Sequence, residues 1–274
     1  MIVPIVVLSS MLAAPPSSSL AAAPASPSCS VVASDDRKPE DIQVGNDPKK
    51  RYLLHAPPKG AKEAASGWRV LVVLPGGDGS AEFGPFVGSI RDKSLGDGWL
   101  IAQIVAPVWE KDQASSIVWP TEKQPWKNMK FSTEKLVDFV LEDLAKRKHV
   151  DPNSIFTLSW SSGGPAAYAI SLEPKTRIAG SFIAMSVFYP EWLPSLKSAA
   201  GRAYYLYQSR EDTTTEFHMS ELARDALTKN GAIVTLVEYE GGHGWHGNVF
   251  ADIKTGVAWL QDQTVKSAKP KKAK

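Results

Sequence analysis

The chain has 274 residues, 43% of them hydrophobic, and a formal net charge of +2, enough material for one large buried core and, with no composition break inside it, one folded domain. The charge is segregated: residues 1–34 carry none, five of the last nine are lysine, and the stretch between is slightly acidic. This excludes the broad basic face of a nucleic-acid-binding domain, and a single cysteine, Cys29, excludes an intramolecular disulfide.

Residues 1–14 are apolar and lead into Pro/Ser/Ala-rich sequence, which looks like an export signal and places the protein outside the cytoplasm, secreted or periplasmic. The run is shorter than the ~20 apolar residues that a membrane span needs, so no stable span is expected after processing. Residues 35–50 are charged and aperiodic and read as a linker, 51–265 as the folded domain, and 266–274 as a solvated basic tail. Short apolar runs at 52–55, 69–74, 100–106, 154–158, 180–184, 203–208 and 232–239 alternate with stretches that can be helical, the pattern of an α/β protein whose mostly parallel sheet is covered by helices on both faces. The clearest helix starts at Ser132, an N-cap, and carries Leu136, Val137, Val140, Leu141 and Leu144 on one face. A second is predicted over 215–229, stopped by Asn230-Gly231, and a third over 249–261.

The strongest chemical signal is the run 155–164, an apolar strand that ends in Ser159-Trp160-Ser161-Ser162-Gly163-Gly164 before a helix-compatible stretch. A strand, a tight turn and a helix form a nucleophile elbow when small residues surround one outward-pointing serine. Against the Gly-x-Ser-x-Gly pattern, Ser161 is the nucleophile and Ser159 stands where the first glycine would be; choosing Ser162 instead would put bulky Trp160 at the crowded position. The strand at 203–208 is followed by Glu211 and Asp212, and the last strand by Gly241-Gly242-His243-Gly244-Trp245-His246. Serine, acid and histidine therefore occur in the chain order that an elbow enzyme uses. His243 between glycines is the candidate base and Asp212 the candidate acid, with His246 and Glu211 as their rivals; His55, His149 and His218 have no partner pattern. An early strand ends in Leu74-Pro75-Gly76-Gly77-Asp78-Gly79, a turn that can present the backbone N–H of Gly77 or Asp78 to an oxyanion, with the N–H of Ser162 as second donor. Trp109, Trp119 and Trp126 in one long connection, with Trp160 beside the serine and Trp245 beside the histidine, could wall an aromatic cleft; Trp109, Trp160 and Trp245 are the candidate substrate contacts. No phosphate-loop, cofactor or metal-ligand pattern is present, so cofactor-free chemistry by a monomer is expected.

These motifs, across 51–263, resemble the esterase branch of the α/β-hydrolase superfamily, in the style of phospholipase/carboxylesterase-type enzymes or of polyhydroxybutyrate-depolymerase and feruloyl-esterase-like proteins. The resemblance implies a single-domain α/β-hydrolase fold, a Ser161–His243–Asp212 triad and hydrolysis of small-molecule or polymeric esters. Two departures stand out: Ser159 is not glycine, and the early loop reads Pro-Gly-Gly where many relatives have His-Gly. A peptidase of the same fold and a non-catalytic binder are the competing readings.

Overall fold

The computed structural model describes residues 38–57 and 59–268; the segment read as an export signal, Cys29 and the lysines beyond 268 lie outside them. Eight strands form one sheet: β1 (Glu40–Gln43), β2 (Arg51–His55), β3 (Trp68–Leu74), β4 (Trp99–Ile104), β5 (Val150–Trp160), β6 (Gly180–Ala184), β7 (Ala203–Gln208) and β8 (Ile233–Glu238). Their spatial order is β1-β2-β4-β3-β5-β6-β7-β8. The two pairings at the β1 end are antiparallel, and all pairings from β4 to β8 are parallel. The mostly parallel sheet is as the sequence indicates.

The strand sequences are nearly continuous apolar runs because both faces of the sheet are covered. In β3, Val70, Val72 and Leu74 point to one core and Leu71 and Val73 to the other; Tyr204 and Leu206 of β7 likewise oppose Tyr205 and Tyr207. The first core is closed by helices α2 (Thr133–Arg147), α3 (Gly164–Leu172) and α4 (Phe217–Lys229), the second by α1 (Gly84–Lys93) and α5 (Val249–Ala268). The ends of α2 and α4 follow local chemistry: Ser132 Oγ accepts from the Lys135 N–H at 3.3 Å, and Gly231 takes φ 84° just beyond α4.

Three boundaries differ from the sequence reading. Strand β1 lies inside the segment read as linker; its sequence, EDIQ, buries only Ile42, so hydropathy does not reveal it. The first three residues of the segment read as tail, 266–268, continue α5. Strand β5 begins at Val150 and not 154, because the register shifts between Trp68–Val150 and Val70–Ile155, where Asp151, exposed Pro152 and Asn153 bulge out of the ladder.

The order β4-β3-β5 matters most for function. The chain leaves β3 to one side for β4 and returns on the other side as β5, so a crevice opens at the carboxyl ends of β3 and β5. Leu74 and Ser159 are register partners there, which sets the glycine loop after β3 against the turn after β5.

His55 ends β2 fully buried, its Nε2–H donating to Gln103 Oε1 at 3.2 Å. Burial, with Arg91 nearby, pushes its pKa down to about 4 against the opposing pull of Gln103 and Asp92. The unfolded chain therefore binds more protons than the folded one below the ordinary histidine pKa of about 6.5. Stability is fully present above that pH and drops by on the order of 3 kcal/mol as pH falls towards 4. Urea unfolding at pH 7.5 and 4.5 checks this: the parent should lose stability between the two, and His55→Gln should show a shallower pH dependence.

Candidate active site

The turn after β5 is built by close backbone approach. Ser161 sits in the left-handed region at φ 50°, a conformation that costs a non-glycine residue on the order of 1 kcal/mol and persists only when its surroundings impose it. They do: its carbonyl accepts from Ser186 Oγ at 2.8 Å and from the backbone N–H of Gly164. A Cβ on Gly163 would lie 2.2 Å from the Leu74 carbonyl oxygen, and one on Gly164 would lie 2.0 Å from Ser186 Oγ. The two glycines of the motif are therefore spatial requirements. Gly163→Ala should lower stability by about 1–3 kcal/mol, the usual cost of overpacking, read as a lower denaturant midpoint; Gly96→Ala, where a Cβ meets nothing within 4 Å, should leave it unmoved.

Ser159, in the position where the motif has its first glycine, is fully buried, and its Oγ has no hydrogen-bond partner among the described residues. A close approach on this side lies instead in the loop after β3, where a Cβ on Gly76 would meet Trp160 at 2.6 Å and Ser161 Cβ at 3.0 Å.

The segment after β8 swings back over this turn through Gly241 and Gly244, both at positive φ. It brings His243 Nε2 to 2.9 Å from Ser161 Oγ and His243 Nδ1 to 2.8 Å from Asp212 Oδ2. Asp212 follows β7 and its side chain is fully buried, while the imidazole is 26% exposed. Every bond to this carboxylate comes from a donor: Oδ1 accepts from the N–H groups of Thr214 (2.8 Å) and Thr215 (2.9 Å). Oδ2 accepts from Thr215 Oγ1 (2.7 Å), Gln208 Nε2 (3.0 Å) and His243. Burial alone would raise the Asp212 pKa, but the hydrogen bonds from Thr215, His243 and Thr214 outweigh it and hold the carboxyl below the usual range. With the imidazole N–H committed to an ionised carboxylate at Nδ1, Nε2 is left to accept from the serine hydroxyl.

The rival positions are elsewhere. Glu211 is exposed, and exposed His246 stacks on Tyr239 with ring centroids 6.2 Å apart. Ser162 turns its Oγ away from the imidazole and donates to the Gly77 carbonyl at 2.9 Å, tying the two loops together. His149 and His218 are exposed and pair with Glu63 and Glu216. Sequence reasoning missed Gln208, Thr215 and Ser186, which hold the site residues in place; Thr215, three residues after the acid, is the one that an Asx-turn pattern could have signalled.

Gly77 at φ 58° and Gly79 at φ 67° shape the loop after β3, closed by a Gly79 N–H to Gly76 carbonyl bond of 3.0 Å. Asp78 folds its carboxylate back onto the Ser80 N–H at 3.0 Å, leaving the exposed edge of the loop beside Ser162. Next to it lies a cleft of about 560 Å³ that reaches Gly77 and Ser162 and is walled by Trp119, Trp126 and Trp192. The candidate contacts Trp109, Trp160 and Trp245 are not among its lining. Trp160 and Trp245 pack edge-to-face 5.9 Å apart in a cluster with Phe86. Trp109 packs on Phe131 at 4.9 Å. Trp160 is the last residue of β5 and its ring is buried in the core on the α1 and α5 side, where the partly buried Trp245 packs against it. Trp192, in the turn after β6, carried no sequence signal.

Among the described residues no group of three or more His, Cys, Asp or Glu side chains is arranged to hold a metal ion, and no helix is long and apolar enough to cross a membrane.

No protein-family model and no curated protein matches the sequence. Solved structures do match the fold. A thermophilic esterase from the planctomycete Thermogutta terrifontis, with propionate bound, superimposes with a TM-score of 0.59 at 17% identity over 85% of this chain and 97% of its own. An α/β-hydrolase enzyme from a Medee basin deep-sea metagenome gives 0.59 at 13% identity over 84% and 98%. A fungal esterase structure from Rhizomucor miehei gives 0.61 at 12% identity over 84% of both chains. These likenesses show the fold: the chain has the α/β-hydrolase fold.

Proposed function

We propose that this protein is a serine hydrolase that cleaves carboxylic esters through an acyl-enzyme intermediate. The observation that supports it is the unbroken line of hydrogen bonds from buried Asp212 through His243 to Ser161 Oγ, 2.8 and 2.9 Å long, at the mouth of a crevice. Ser161 Oγ attacks the ester carbonyl carbon while its proton passes to His243 Nε2. The carbonyl electrons move onto oxygen, for which the backbone N–H of Gly77 or Asp78 and that of Ser162 are the proposed donors. Collapse breaks the bond to the alcohol oxygen, which takes the proton from Nε2 as it leaves. Water then attacks the acyl-enzyme, gives its proton to Nε2, and the acid departs as that proton returns to Ser161 Oγ. Asp212 stays ionised throughout and stabilises the imidazolium.

The Thermogutta terrifontis esterase of the same fold is phosphonylated by sarin, and the proposal extends that reactivity to this chain. Incubation with a fluorophosphonate should place one adduct on the peptide bearing Ser161, and the unmodified protein should turn over p-nitrophenyl butyrate. A folded protein that neither labels nor turns over the ester sinks the proposal; turnover of the matching p-nitroanilide at a comparable rate would favour the peptidase reading.

A further inference from the structure

Two neighbouring strands end in the same unusual way. Trp160 of β5 and Ala184 of β6 are register partners, and the residue after each, Ser161 and Met185, lies in the left-handed region, at φ 50° and 40°. Residues other than glycine enter that region only where their surroundings impose it. Met185 is held by its N–H, which donates to the Tyr207 carbonyl at 2.8 Å, and by a side chain buried in the core on the α1 and α5 side. The turn it makes delivers the next residue, Ser186, into a buried position where its hydroxyl donates to the Ser161 carbonyl at 2.8 Å. Gly164 leaves the room for it, since a Cβ there would fall 2.0 Å from Ser186 Oγ and 2.4 Å from Ser186 Cβ. The strain at the second strand end therefore serves the first.

The carbonyl that Ser186 holds is one end of the peptide between Ser161 and Ser162. The other end of that peptide is the Ser162 N–H, one of the donors proposed for the oxyanion. The peptide is trans, and a trans peptide is planar with its C=O and N–H pointing in opposite directions, so fixing one end aims the other. A hydrogen bond received by the oxygen also draws electron density away from the nitrogen and makes its N–H a stronger donor. Ser186 thus reaches the reacting centre from behind; it is not among the residues that line the cleft. The Gly164 N–H donates to the same carbonyl and closes the turn by itself. The backbone conformation at Ser161 therefore keeps one tie when the Ser186 hydroxyl is removed.

We propose that Ser186 is a positioning residue for catalysis, which aims and strengthens the Ser162 N–H as an oxyanion donor through the Ser161 carbonyl. The proposal rests on the esterase reading. It is tested on Ser186→Ala with p-nitrophenyl butyrate and with its thiono analogue, in which sulfur replaces the carbonyl oxygen. Both esters need the same serine and histidine, but sulfur is a weak hydrogen-bond acceptor and gains little from the donor. Losing an oxyanion donor outright costs about 10²- to 10³-fold in kcat, and leaving it in place without its support should cost less. Ser186→Ala should lower kcat on the oxygen ester about tenfold with KM within about twofold, and change kcat/KM on the thiono ester by less than about twofold. Ser186→Cys, close in shape but a weaker donor, should fall between the parent and the alanine variant, so a misfolded alanine variant does not decide the matter. Loss of both esters by the same factor would mean that Ser161 itself is displaced, and it overturns the oxyanion role, as does an unchanged rate on the oxygen ester; either result leaves the esterase reading standing. No turnover of either ester by the folded parent, and no labelling of Ser161, overturns both.

Discussion

Replacing Ser161 with alanine is expected to lower kcat on p-nitrophenyl butyrate by about 10⁵- to 10⁶-fold, the loss seen when an activated serine is removed from a unit that works together. The fold should not suffer: Ser161 Oγ touches only His243 among the described partners, and alanine relieves neither the positive φ nor the bonds to its carbonyl from Ser186 and Gly164. Denaturant midpoints of the two proteins should therefore agree closely. Because base and nucleophile act as a unit, His243→Ala added to Ser161→Ala should cost almost nothing more. A Ser161→Ala protein retaining more than about a hundredth of the parent rate would remove Ser161 from its proposed role.

Asp212→Asn is expected to be nearly as severe, about 10⁴-fold in kcat, and the reason lies in the donor inventory. Both carboxylate oxygens face only donors: two backbone N–H groups at Oδ1, and a hydroxyl, an amide N–H and the imidazole N–H at Oδ2. An asparagine must set its NH₂ against one of these groups. If it faces His243, Nδ1 has to become the acceptor, the proton moves to Nε2, and the imidazole can no longer take the proton of Ser161. Glu211→Gln, one residue away on the exposed side, should change kcat by less than about twofold. The depressed pKa of Asp212 sets the sign of the pH effect: its contribution to stability is whole above the ordinary carboxyl value of about 3.9 and is lost as pH falls through its lower folded value. The asparagine variant should lack that acid-limb loss. Rate profiles and acid unfolding measured on the same two variants separate the catalytic effect from the structural one.

How much of this was legible beforehand follows from what each feature depends on. The central strands were readable because burial on both faces writes itself as uninterrupted apolar sequence, and helix α2 because its stripe and its N-cap agree. Helix α1 was not: Gly84, Pro85 and Gly88 lower its propensity, and its packing on α5 and the sheet overrides that. Strand β1 shows a single buried residue and is held by its pairing with β2. At the site, the residues named from the sequence as nucleophile, base and acid are those that the fold brings within hydrogen-bond distance, because a strand end fixes each of them and strand ends are visible in the chain. The cleft wall was less legible. Trp119 and Trp126 belong to it, but Trp192 comes from a distant turn, and only the completed sheet shows that the end of β6 lies beside that of β5.

The crowding at the elbow has a further consequence for how this protein can change over time. The Gly163 Cα lies against the Leu74 carbonyl, and Gly76 lies against Trp160 and Ser161, so the nucleophile turn and the loop after β3 are one interlocked piece. A substitution in either reaches the other directly, which leaves almost no room for gradual drift at 75–77 and 159–164. Apart from Trp119, whose indole N–H donates to the Pro75 carbonyl, the connection 114–126 and the turn holding Trp192 border the same crevice outside that interlocked piece, and their sequence can vary while the chemistry stays in place. New substrate preferences, whether selected in nature or in the laboratory, should therefore accumulate as substitutions, insertions and deletions in those two stretches, around a reacting centre that stays as it is.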